Sequence, residues 1–242
     1  MILMGKSKKI KLYIGLFYLI LVSLFLYYFF SRFTLEEIAS YDFIKNNRDY
    51  FFQLKESNLY FLALLFFLFT IIWVLAAGFG SPVALFGGFI FGEWIGTLVV
   101  ALGLSVGALL LYVFSNYFLK ELVKDKFLNK YQKLESKFKK SEFIYLLAYR
   151  FIGGISFAIS NILPCIFNVK ISNFFWATVI GILPQIFLIC SIGSGLEKII
   201  EENVEAPQIK DIITSSEIYI PLIVFSCLVL VTISLRKLFY KE

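Results

Sequence analysis

Tyr149-Arg150-Phe151-Ile152-Gly153-Gly154-Ile155-Ser156-Phe157-Ala158-Ile159-Ser160-Asn161-Ile162-Leu163-Pro164 is an apolar run with two adjacent glycines and one arginine, remote from every cluster of charge in the chain. A lone cation in such a run is costly unless a partner or trapped water answers it. Where this run lies, and what answers Arg150, decides the fold.

The chain around it is apolar throughout. Of its 242 residues 60% are hydrophobic, including 29 Phe. Soluble domains carry roughly 45–50%, so the sequence reads as an all-α integral membrane protein, one membrane domain over 1–242. Histidine is absent. That removes His-ligated metals, Ser-His and Cys-His nucleophile pairs and imidazole relays, and neither a metal nor a cofactor is expected. Cys165, Cys190 and Cys227 stand apart in apolar runs without C-x-x-C spacing and read as small buried hydrophobes. The N-terminal apolar run has lysines ahead of it, but it lasts to Phe30 and ends in bulky residues with no small-x-small site. It reads as a retained anchor helix over 10–30 rather than a signal peptide.

Charge divides the chain. Residues 1–11 hold four Lys, 31–58 four basic and five acidic residues, 120–142 eight Lys and four acids, 196–217 two Lys and six acids, and the tail from Arg236 three basic and one acidic. Outside these segments only Glu93, Arg150 and Lys170 are charged. The Lys/Arg count places 1–11, 120–142 and the tail in the cytoplasm, and 31–58 and 196–217 outside. A C-terminal transmembrane helix over 218–235 returns the chain inside, so both termini are expected in the cytoplasm.

Between the flanking helices, 59–119 must run from outside to inside and 143–196 from inside to outside. Each is too long for one crossing and too short for three, at ~20 residues per crossing. The first breaks at Gly78-Phe79-Gly80-Ser81-Pro82, the second at Gly153-Gly154, and each break is followed by a short segment and then a long helix, about 94–118 and 173–195. One re-entrant helical hairpin plus one transmembrane helix per half satisfies this, with the two tips facing each other inside protein. The first arm, about 59–78, is longer than a half-crossing needs and is expected to begin along the interface. Ile90-Phe91-Gly92-Glu93-Trp94-Ile95-Gly96 also echoes Ile166-Phe167-Asn168-Val169-Lys170-Ile171-Ser172. With the opposite orientations, the echo predicts an inverted repeat; two unrelated hairpins are the alternative.

Several residues then acquire candidate roles. Ser81-Pro82 suits a helix start, whose free N–H groups would point inward at membrane depth; a structural kink is the plainer reading. Gly88, Gly92 and Gly96, and again Gly103 and Gly107, permit close helix packing. The 120–142 connector sets Leu119, Leu122, Val123, Phe127, Tyr131, Leu134 and Phe138 at helical steps among its lysines, a basic amphipathic helix suited to an anionic leaflet or a solvated linker. No nucleic-acid partner is expected. Glu93 is the single embedded acid and a candidate coupling group or partner for Arg150, whereas Lys170 reads as a boundary residue. Gly181 and Pro184, with Gln185, are expected to interrupt the helix opposite the second tip as a break facing the cavity, with a kink as the plainer reading. Gly153 lies eleven residues beyond Glu142, about 16 Å along a helix, so Arg150 sits near mid-bilayer. Its guanidinium matches a phosphate bidentately; alternatively it braces the hairpin through tip carbonyls or Glu93.

Arg150, Phe157, Asn161, Phe174, Ala177-Thr178, Gly181 and Pro184, preceded by Pro82 and Gly88-Phe89-Ile90-Phe91-Gly92, resemble the DedA superfamily, also called the VTT-domain or SNARE-associated family. The resemblance covers 59–196 and is strongest to the branch named after a late-Golgi vesicle protein, widespread in bacteria. It implies two opposed re-entrant hairpins in an inverted repeat, and movement of phospholipids or polyprenyl phosphate carriers between leaflets. Arg150 and Asn161 align with the family's arginine and asparagine. The chain departs from the family where Gly153 and Ser156 replace prolines and Cys165 replaces a glycine. It also lacks the acids of proton-dependent members, apart from Glu93.

The expected function is therefore lipid transport across a bacterial inner membrane, as scramblase or flippase. The lipid phosphate would be held by Arg150 and Asn161, with Ser81, Pro82, Gly153 and Gly154 around it. A secondary transporter of a small anion or ion, and a non-transporting membrane organiser that docks through 120–142, are the alternatives. No enzyme is expected, since the apolar runs hold no Asp and the chain has no G-x-S-x-G and no phosphate-loop lysine.

Overall fold

The computed structural model describes residues 41–76, 78–118, 141–152 and 157–202, together with scattered positions in 13–31 and 210–230. Every element among these residues is helical: α1 (Tyr41–Leu75), α2 (Gly80–Phe118), α3 (Glu142–Ile152), α4 (Phe157–Ile162), a 3₁₀ turn (Leu163–Phe167) and α5 (Ile171–Glu202). Three of the helices, Arg48–Leu75, Gly80–Phe118 and Ile171–Glu201, are long and apolar enough to cross a membrane. The described positions in 13–31 and in 218–230 are helical as well. The Gly153-Gly154 tip, residues 119–140 of the basic connector and the C-terminal tail lie outside the described residues.

Two of the long helices are broken once, at residues whose chemistry suits the break. In α1 the helical geometry fails at Asn58. There the side-chain Oδ1 accepts from the Phe61 amide at 3.0 Å, capping a second helical arm that runs from 59 to Leu75. The charged segment expected outside is thus helical from Tyr41 onward. In α2 the break is Gly92, at φ 77 and ψ 176, backbone that glycine adopts without the steric penalty of a side chain. Unbroken, α2's 39 residues would extend about 58 Å, far beyond the ~30 Å of a hydrocarbon core.

The break instead folds α2 on itself. A Cβ on Gly96 would lie 2.6 Å from the Gly87 carbonyl, Gly87 abuts Val100, and Gly80 faces Leu104. As one arm advances the other recedes, so the arms 80–91 and 93–118 are antiparallel. The second arm of α1 runs with 93–118: Gly103 sits on Phe67 and Thr70, and Gly107 on Ile71 and Val74. The turn at 76–79 is consequently level with the middle of that arm rather than its end. The turn's exposed carbonyls are answered locally. Trp73 Nε1 donates to Phe79 O at 2.9 Å, and the Tyr18 hydroxyl, from the N-terminal stretch, donates to Leu75 O.

The second half repeats this plan with shorter pieces. Asn173 meets Glu142, Thr178 meets Arg150 and Gly181 meets Leu147 and Arg150, so α3 runs with α5, while α4 and the 3₁₀ turn, which connect them along the chain, pack on α2. Asn168, which ends the turn, has φ 52. Gly92 and Asn168 are the two positive-φ residues among those described, and they are the aligned residues of the seven-residue echo. The two halves run oppositely: Glu93 meets Ser194, Trp94 stacks near Phe187, and Tyr112 stacks on Phe174 at 4.5 Å. Each short arm packs on the other half's long helix, Gly88 on Cys190 and the Cys165 region on Ala108 and Tyr112.

One expectation is corrected here. α5 is continuous from Ile171 to Glu202, with Pro184 inside it, so Gly181, Pro184 and Gln185 do not break the helix. Pro184 removes the hydrogen bond to the carbonyl four residues earlier and its ring crowds that carbonyl, but packing against α2 and α3 keeps the helix continuous. At its far end α5 is tied to α1. Arg48 donates to Glu197 at 2.6 Å and reaches Glu201 at 3.1 Å, over the face of Phe52.

Candidate functional site

The site forms where α3, α4 and α5 meet. α3 brings Arg150 to its last turn. Close approach to α5 is possible because residue 181 is glycine: a Cβ there would stand 2.5 Å from Arg150 Cβ and 3.2 Å from the Leu147 carbonyl. Gly181 therefore acts by its missing side chain. α5 contributes Phe174 and Thr178 one turn apart on the face that also carries Gly181, and α4 contributes Phe157, Ser160 and Asn161.

Arg150 is only 5% exposed. Its Nε donates to Thr178 Oγ1 at 3.1 Å, one terminal nitrogen to Ser160 Oγ at 2.6 Å, and the other to Asn161 Oδ1 at 2.7 Å. The rings of Phe174 and Phe157 lie 5.1 and 5.4 Å from the guanidinium carbon, within cation–π range. Both hydroxyls spend their own protons on backbone carbonyls, Ser160 on Phe157 O and Thr178 on Phe174 O, each at 2.7 Å. Only oxygen lone pairs are left to face the arginine. Hydrogen bonds to a charged group stabilise by about 1.5–3 kcal/mol each, enough to offset the roughly 2.5–3.5 kcal/mol that an arginine would cost at the centre of a membrane.

The donor count is unbalanced. A guanidinium has five N–H groups and no acceptor, and three are engaged here; the other two meet no acceptor among the described residues. Asn161 is fully buried, its Oδ1 is fixed toward Arg150, and its Nδ2 has no partner. Turning the amide over would point a donor at a cation, so the arginine sets its orientation. Buried polar hydrogens without acceptors are rare in folded proteins. Among the described residues, this cluster presents four together around one positive charge.

The remaining sequence candidates lie elsewhere. Glu93 does not meet Arg150: its Oε2 accepts from Ser194 at 2.9 Å. Ser194 stands 16 residues beyond Thr178 on α5, about 24 Å along the helix. As a partner for the arginine Glu93 is thus displaced by neutral oxygens. α2 starts at Gly80, so Ser81 and Pro82 occupy its first turn, both exposed, and neither is among the groups that contact Arg150. Gln185 is half-buried in α5, and Lys170 is exposed before it. Ser160 and Thr178 received no role from sequence reasoning. Their signal was positional: Thr178 falls between Phe174 and Gly181 at helical spacing, and Ser160 adjoins Asn161.

Comparison with known proteins follows this geometry. A family model described as the VTT domain matches residues 78–195, which includes the α2 hairpin, Arg150 and most of α5. A curated relative, "Transmembrane protein 41 homolog" of Caenorhabditis elegans, is 26% identical over 141 residues, covering 55% of this chain and 57% of the relative. The chain therefore spans little more than half of that relative's length. No solved structure matches the chain.

Proposed function

Because residues 78–195 match the VTT-domain family, we propose that the chain moves phosphate-headed lipids between membrane leaflets, with Arg150 and Asn161 receiving the phosphate. The observation that carries this reading is the surplus of buried donors around a single cation. An oxyanion with two or more oxygens is the ligand that would satisfy two guanidinium N–H groups and an adjacent amide. The outer face of α3 supports a lipid rather than a free ion. Ile144, Tyr145 and Phe151 are exposed and apolar, so an acyl chain could lie against the helix whose inner face carries the arginine.

The architecture belongs to the same reading. The turn at 76–79, level with the middle of the long arm of α2, serves as the tip of one re-entrant hairpin. The connection between α3 and α4 serves as the tip of the other. The opposed directions of the long helices support an inverted repeat, an arrangement that exposes one site to either side by rocking one half on the other. The lysine-rich segments 1–11, 120–142 and the tail face the cytoplasm of a bacterial inner membrane, and 120–142 rests on the anionic leaflet. No bond is made or broken; Arg150 binds and releases.

Purified protein in liposomes carrying labelled phospholipid tests the proposal. Wild type is expected to accelerate flipping over protein-free vesicles, and Arg150→Ala to lower the acceleration at least tenfold. Equal rates for the two would remove the arginine from the function.

A further inference from the structure

We propose that the Arg150 site takes a phosphate bearing one negative charge and rejects one bearing two, an inference that rests on the lipid-phosphate reading above. The charge census of the core carries it. From 143 to 196 the charged residues are Arg150 and Lys170, and from 59 to 119 there is only Glu93. These counts include every residue of both tips. Lys170 is exposed and eight residues before Thr178, about 12 Å along the chain axis. Glu142, a similar distance before Arg150 on α3, is engaged with Asn173 at 3.0 Å and with the Lys170 amide. Glu93 is at the other end of α5, on Ser194.

The groups facing the guanidinium are Thr178 and Phe174 from α5 and Ser160, Asn161 and Phe157 from α4, all uncharged. The nearest titratable neighbours, Tyr149 beside it on α3, Tyr112 against Phe174 and the buried Cys165, are of types that ordinarily stay neutral up to about pH 8. One positive charge thus stands alone in an apolar layer.

A singly charged phosphate makes a neutral pair there. A dianion leaves an uncompensated negative charge in low dielectric, where the group is either excluded or takes up a proton. The four free donors can satisfy the oxygens of either species, but they do not supply the missing charge. A phosphodiester lipid is a monoanion throughout the physiological range. A phosphomonoester, whose second ionisation lies near pH 6, meets the requirement only while it retains a proton.

The test compares two probes in the same liposomes, a labelled phosphodiester lipid and a labelled alkyl phosphate monoester, between pH 6 and pH 8. The diester rate over protein-free vesicles is expected to stay level. The monoester rate is expected to fall about fifty-fold over those two units, following its monoanionic fraction. A monoester flipped as fast at pH 8 as at pH 6 overturns the inference, and so does a parallel fall of the diester, which would place the titrating group in the protein. Failure of the underlying reading looks different: neither probe exceeds protein-free vesicles, or Arg150→Ala matches wild type with both.

Discussion

The two halves of this protein build the same helix crossing with opposite chemistry. In the first, Gly107 of α2 receives the Ile71 carbonyl and the Val74 side chain; in the second, Gly181 of α5 receives the Leu147 carbonyl and the Arg150 side chain. Val74 and Arg150 are 76 residues apart, as are Gly92 and Asn168, the residues of positive φ. At matching places, then, one half buries a valine and the other an arginine. The first crossing is satisfied by contact alone, since Val74 lies within a continuous apolar core with Leu62, Phe66 and Leu104. The second binds its arginine through three neutral side chains and still leaves donors over. The crossing is built in one half without a charge, and the proposed role of Arg150 rests on that difference.

Exchange of the two chemistries should break the symmetry in one direction. Val74→Arg places a cation in a core of apolar side chains, where the positions 76 residues before Ser160 and Asn161 hold Ala84 and Leu85. A buried charge without partners costs roughly 3–5 kcal/mol, so this variant is expected to lose most of its folded yield in detergent by size-exclusion chromatography. A folded Val74→Arg protein at wild-type yield would mean the first half also has hidden polar capacity.

The glycines sharpen the contrast at smaller cost. Alanine at 107 would put Cβ 2.7 Å from Val74 Cβ, and at 181 2.5 Å from Arg150 Cβ. Overpacking of this kind destabilises by about 1–3 kcal/mol, so both melting temperatures should fall by similar amounts. Flipping per folded molecule should separate them: about tenfold lower for Gly181→Ala, which displaces the arginine, and near wild type for Gly107→Ala. Equal losses would assign Gly181 a purely structural part.

Much of this was legible in the sequence because it is written in local patterns. Apolar length and lysine distribution point to membrane helices, and the isolation of Arg150 in an apolar run points to the site. The motif residues from Pro82 to Pro184 point to the family. The weak echo at Gly92 and Asn168 corresponds to a positive φ at both residues, with different ψ. What stayed hidden depends on contacts between distant segments. Thr178 and Ser160 gain their roles only when α5 and α4 close on α3. Glu93, the obvious acid for a lone arginine, is held by Ser194 at the other end of α5. Pro184 promised a break, but α5 continues through it, packed against neighbouring helices. Ser81-Pro82 promised a helix start, which lies beside the break as expected but away from the arginine's contacts.

The central claim is that Arg150 is kept short of acceptors so that an anion can supply them, and Asn161→Asp tests it most directly. The substitution is nearly isosteric and sets a carboxylate at the position of an oxygen now 2.7 Å from the guanidinium. A structural brace would be strengthened by the change, whereas an anion site would be neutralised from within. We expect a melting temperature equal to or above that of wild type, with lipid flipping reduced at least tenfold. Flipping at the wild-type rate in a stably folded Asn161→Asp protein would contradict the account and leave Arg150 as a brace.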